Sequence, residues 1–217
     1  SRPRVRPSLR EVAAQEPPVT PAIAFVKGPA WDQAEEQTQA AFAELVEALG
    51  EVCDTVELPE VFANALGGHR TIYCTDLALS FDPFYRRGRD RLSPTLIDMI
   101  EEGQRTLALD YTRAVAWRDL LNRGLDEVFE RFDAILTPAA PGPAPRGLDS
   151  TGNPVFCTLW TFCGTPAVTL PLLQGENGLP IGVQLVGRRH DDARLLRTAR
   201  WLAATVAALT GASDDED

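Results

Sequence analysis

The stretch GTPAVTLPLLQGENGLPIGVQLVG, residues 164–187, is the segment of this chain that leaves the fewest alternatives. Val168, Leu170 and Leu172 alternate along its first half and Ile181, Val183 and Leu185 along its second, so each half has one apolar face at strand period. Thr169 and Gln184 fall on the opposite faces. Between the halves, Gly175, Asn177 and Gly178 supply residues that tolerate positive φ, which a tight connection needs. Pro166, Pro171 and Pro180 have no backbone N–H to give a ladder, which places them at strand ends or on an edge. The spacing therefore predicts an antiparallel hairpin at the rim of a larger sheet, with Gln184 set among aliphatics to satisfy backbone groups in the core.

The rest of the chain supplies that sheet. IAFVK (23–27) and VCDTVEL (52–58) read as strands, and Ala34, Thr38, Ala41, Phe42, Leu45 and Leu49 repeat at helical spacing between them until Gly50. Asp32 and Glu35 have the spacing of a capping box for that helix. Strand, helix and strand in this order predict a parallel βαβ unit. Residues 59–132 are helical text, with a break expected at Pro83 and Gly88; the stripe Leu107, Tyr111, Ala114, Leu121, Leu125, Val128 and Phe132 marks a core face. AILTP (134–138) is a short buried strand, and the Pro/Gly-rich run from 138 to 154 is a long loop of the kind that often carries function. VFCTLWTFCG (155–164) reads as a short helix. After the hairpin, Asp191 is placed to cap a last helix with the stripe Leu195, Ala199, Leu202, Val206 and Leu209. The fold class is α/β, a mixed β-sheet flanked by helices. Residues 1–21, with five prolines, read as an extended linker, residues 22–211 as one domain, and residues 212–217 as an acidic disordered tail.

Composition narrows the function. With 44% hydrophobic residues in 217, the chain is apolar enough to build a core. A net charge of -10 argues against a phosphate-backbone partner, so no nucleic acid is expected. No apolar run approaches the roughly 18 residues of a membrane span, so no membrane is expected either. Four dispersed cysteines without a C-x-x-C pair, and two histidines, make a poor metal-ligand set; buried free thiols in a cytoplasmic protein are expected. Nucleophilic chemistry needs a Ser, Cys, Thr or Lys beside a base on a strained turn, yet there is no G-x-S-x-G elbow, P-loop or G-x-G-x-x-G. None of the six serines lies in a glycine-rich turn. Lys27, the one lysine, reads as a strand-end surface charge, His190 as an exposed neighbour of a helix cap, and His69, in LGGHR, as a residue of a turn or of a helix start.

Taken in order, FDAILTPAAPGPAP (132–145), TGNPVF (151–156), GTPAVTLP (164–171) and GLPIGVQLVG (178–187) followed by LLRTA (195–199) resemble the C-terminal portion of an amidase signature enzyme. With the strand and helix at 22–50 added, the likeness covers nearly all of residues 22–205. The resemblance implies cleavage of carboxamide C–N bonds by a Ser, cis-Ser, Lys triad through an acyl-enzyme, with no metal or organic cofactor. Those catalytic positions lie in a Gly/Ser-rich N-terminal segment that has no counterpart here, and Lys27 does not match the catalytic lysine. The chain is thus expected to be inactive alone and to meet a small-molecule amide only when the catalytic half is present. The resemblance also brings the loops of 138–164 toward the substrate pocket. It makes Trp160 and Phe162 candidate pocket walls, with core packing as the competing account, and Thr137 and Phe156 weaker candidates of the same kind. A partial sheet leaves unpaired edge groups and an apolar face, so self-association or a covering partner chain is expected. A non-catalytic binding or assembly module that keeps the scaffold is the alternative.

Overall fold

The computed structural model describes residues 8–213. A five-stranded sheet holds it together: β1 (Ile23–Phe25), β2 (Cys53–Thr55), β3 (Ala134–Pro138), β4 (Ala167–Gln174) and β5 (Pro180–Val186), in the order β2-β1-β3-β5-β4. The first three strands are parallel, and β5 and β4 join antiparallel, so the sheet is mixed. β1 and β3 are buried along their whole length because both faces are covered, as parallel strands require, and Thr137 is the one polar residue among them.

Among the described residues seven α-helices surround the sheet: α1 (Leu9–Ala13), α2 (Glu36–Leu49), α3 (Ala65–Gly88), α4 (Pro94–Arg105), α5 (Ala108–Phe129), α6 (Val155–Cys163) and α7 (Asp192–Ser213). On one face Phe42 and Leu45 of α2 and Leu195, Leu202 and Val206 of α7 pack on Ile23, Phe25, Leu136, Val183 and Leu185. On the other, Leu121, Leu125 and Phe129 of α5 and Leu159, Trp160 and Phe162 of α6 pack on Ala24, Val26, Ile135 and Val186. Helices α3 and α4 form an outer pair beyond α5 and α6. The β1-α2-β2 crossover lies on one face, and the crossover through α3, α4 and α5 to β3 lies on the other. The connections therefore diverge between β1 and β3, and in an open sheet the crevice beyond the carboxyl ends of such strands is where ligands bind.

Several local expectations change. Residues 9–13, expected as extended chain, form α1; Ser8 caps it by accepting from Glu11 N at 3.2 Å, and Val12 is buried. Pro83 lies inside α3 and does not end it, because the lost N–H falls on an exposed face where water can take the freed Leu79 carbonyl; the helix stops at Gly88 as expected. Asp32 sits in a 3-10 turn (Trp31–Gln33), and Glu35, at the N-cap of α2, makes no side-chain cap, so no capping box forms. Leu107 is 66% exposed at the N-cap of α5 and Leu209 is 42% exposed, leaving both outside the core. Asp191 ion-pairs with Arg194 at 3.0 Å instead of capping α7 with its side chain. Residues 212 and 213, expected in the acidic tail, continue α7, and the rest of that tail, 214–217, lies outside the described residues.

Candidate substrate-side cleft

The carboxyl ends of β1 and β3 lead into two loops, 26–35 and 138–154, which are tied together. Glu35 N donates to the Pro141 carbonyl at 2.8 Å, and Asn153 Nδ2 donates to Gln33 Oε1 at 3.3 Å. The hairpin tip joins them where Glu176 N donates to Gln37 Oε1 at 3.0 Å. At Gly142 an added Cβ would meet the Glu35 carboxylate, which would have to swing aside into solvent. The Pro-rich loop is thus tied down at Pro141 and Asn153.

This anchored loop borders two hollows that share Asn153 and Pro154. One, of about 570 Å³, runs along the loop between Glu35 and Gly182. The other, of about 590 Å³, lies between α3 and α6, with His69, Arg70 and Tyr73 on one side and Cys157, Thr158 and Thr161 on the other. His69 and Tyr73 stand one turn apart on α3 with ring centroids at 5.6 Å and planes 15° apart, and Phe162 meets His69 edge-on at 6.3 Å. Burial holds the His69 imidazole below its ordinary 6.5, toward the neutral form. Arg70 is engaged by Glu102, with Nε to Oε1 at 2.9 Å and Nη2 to Oε2 at 2.6 Å.

Under these hollows runs a polar row. Thr137 on β3, Gln184 on β5 and Thr169 on β4 are in register across three strands. Gln184 is 4% exposed; its Nε2 donates to Cys157 Sγ at 3.4 Å, and its Oε1 has no partner. The thiol in turn donates to the Ala139 carbonyl at 3.5 Å. The expectation that Gln184 satisfies backbone groups is therefore corrected: its partner is a thiol, and one acceptor is left open.

The four residues expected as pocket walls, Trp160, Phe162, Thr137 and Phe156, are all buried, at 5% exposure or less. Phe162 supports His69 from beneath, and the other three border a narrow hollow next to Lys27. The open face of α6 is the opposite one, Cys157, Thr158 and Thr161, which sequence reasoning missed. The signal was available: within VFCTLWTFC the polar residues recur at helical spacing on the side away from Phe156, Leu159, Trp160 and Cys163.

Lys27 and three of the serines make structural contacts. Lys27 Nζ lies over the Trp31 ring, 5.2 Å from its centroid. Ser8 and Ser93 cap helices, and Ser150 accepts from Gly152 N at 3.1 Å. All four cysteines are free; burial pushes the Cys53 and Cys163 thiols up to about 11 and about 12, away from the reactive thiolate.

The amidase family model matches residues 3–196. The chain belongs to the amidase family. A glutamyl-tRNA(Gln) amidotransferase subunit from Synechococcus sp. (strain CC9902) is 38% identical over 96 residues, covering 41% of this chain and 20% of that protein. Among solved structures, a crystal structure of an amidase superposes with a TM-score of 0.76 at 22% identity, covering 88% of this chain and 47% of the other. A chain from a vestigial protein complex, described as revealing the evolutionary origins of an s-triazine catabolic enzyme, superposes with a TM-score of 0.76 at 24% identity, covering 97% and 47%. At these identities the structural likeness shows the fold. The chain spans about a fifth of that curated relative and just under half of each solved amidase-fold chain.

Proposed function

We propose that this chain is the C-terminal portion of a carboxamide hydrolase and supplies the substrate-side wall of its active site. On this proposal the Ser, cis-Ser, Lys machinery that attacks the amide carbonyl comes from a preceding segment. The observation that carries it is the pairing of a family match across residues 3–196 with coverage of only 47% of the solved neighbours. The open α3–α6 cleft and the free edge of β4 support it, because both are surfaces a second half would complete. In that setting the loop 138–154 borders the substrate, and Thr137, Phe156, Trp160 and Phe162 act as the rigid backing of the wall. The covering element is either the catalytic half, a partner chain or a second copy. Four free cysteines fit a reducing compartment, and cytoplasmic placement is part of the same proposal. Among the described residues no helix is long and apolar enough to cross a membrane.

A serine-directed fluorophosphonate tests this. It is expected to label a polypeptide in which this chain follows its Gly/Ser-rich half, and to spare the 217-residue chain alone. Labelling of the chain by itself would sink the assignment of the missing chemistry.

A further inference from the structure

The α3–α6 cleft has a chemistry of its own. One wall is aromatic: the stacked, near-parallel His69 and Tyr73 rings, with Phe162 set edge-on to His69 behind them. Tyr73 is 46% exposed, so the stack ends at the mouth of the cleft and not inside the core. The facing wall is the α6 turn with Thr158 and Thr161, and the Thr158 hydroxyl is already used on the Pro154 carbonyl at 3.3 Å. The volume, about 590 Å³, is within the roughly 300–1,000 Å³ typical of small-molecule sites.

Charge decides what such a cleft accepts. Arg70 is the one formally charged residue of its lining, and two of its nitrogens already hold the Glu102 carboxylate. A ligand carboxylate could reach only the Arg70 N–H groups that Glu102 leaves over, beside a like charge that already balances the guanidinium, and a ligand ammonium would meet Arg70 with no free carboxylate to pair with. An uncharged flat group meets neither obstacle and gains ring stacking and apolar contact.

We infer that this cleft binds the uncharged, planar side of a carboxamide, an aryl or similarly flat group, and rejects amides that carry a free carboxylate and ammonium. The inference rests on the reading of this chain as the substrate-side wall of an amidase, and extends it to substrate class.

Binding to the 217-residue chain, followed by ligand-observed NMR with benzamide and L-glutamine as probes, tests it without turnover. Benzamide is expected to bind saturably and L-glutamine not to. Tyr73→Ala should weaken benzamide about three- to tenfold, the range of one lost aromatic pair. Thr161→Trp, at an exposed position where a large ring fills the cleft, should abolish binding while far-UV circular dichroism stays unchanged. Absence of saturable benzamide binding, persistence of it in Thr161→Trp, or tighter binding of L-glutamine would each overturn the inference. Because no hydrolysis is read, these results are separate from the labelling test of the catalytic assignment.

Discussion

At the scale of single residues, Gln184 shows why a polar side chain in a hydrophobic run is hard to interpret from sequence. The alternation of its strand was legible and so was its burial, but its partner lies on α6, 27 positions away. The structure gives it one weak contact to a thiol and one open acceptor. An unmet buried acceptor costs about 1–3 kcal/mol, so an apolar replacement removes that cost and gives up only the weak contact to the Cys157 sulfur. Gln184→Leu in this chain is therefore expected to hold or raise the melting temperature; a clear drop would mean the open acceptor is met in solution. His69 gives a second test. Its folded value lies below its ordinary 6.5, so the unfolded chain takes the proton first as pH falls. The contribution of neutral His69 is intact above 6.5 and is lost as pH falls through the lower folded value. Thermal melts between pH 7 and pH 5 should show a decline that His69→Phe removes. Glu101 and Glu102, held below 4.5 by Arg89 and Arg70, act at more acid pH and leave that window to the histidine.

At the scale of elements, the periodic signals were reliable and the boundary signals were not. The stripes of α2, α5 and α7 point into the core as their spacing requires, except where Leu107 and Leu209 reach the helix ends. Pro83 failed as a stop signal because the cost of a proline depends on whether water can take the freed carbonyl, which sequence does not state. The hairpin was legible in pairing and edge position, but the irregularity between Leu170 and Leu173 around Pro171 was not. The site was legible least: α6 was identified as an element, and Phe156, Trp160 and Phe162, read as pocket walls or core packing, lie in the core, while its open face of Cys157, Thr158 and Thr161 was not named. Packing of α4 on α3 supplies a prediction that sequence hides entirely. Gly103 lies so close to α3 that an added Cβ would overlap the Cys74 carbonyl and approach Ala78 Cβ to 2.9 Å. Gly103→Ala, which favours helix by propensity, should cost about 1–3 kcal/mol by forcing the two helices apart. Urea unfolding of the pair measures it, and an unchanged midpoint would show that the contact yields freely.

At the scale of the whole molecule, several large apolar side chains are uncovered. Leu79, Phe84, Leu107 and Leu109 are each more than half exposed on α3 and α5, and β4 offers a free edge among the described residues. Pro171 and the adjacent irregularity limit how long a ladder that edge can extend, so faces more than edges should drive association. Light scattering is expected to show mass that grows with concentration, together with binding of an apolar dye. A monomer at every concentration with no dye uptake would contradict it.

The position of β3 also fixes an order of events. It is the middle strand, yet the bond just before its pairing with β1, from Ala22 N to the Asp133 carboxylate, joins residues 111 positions apart, while the β4–β5 pair closes over a handful. Loop-closure entropy must be overcome before so distant a pairing gives anything back, and folding slows as the mean separation of contacts grows. The hairpin can therefore be ready early. The first two strands must wait, during synthesis, until three helices have emerged from the ribosome and the strand that joins them to the hairpin arrives.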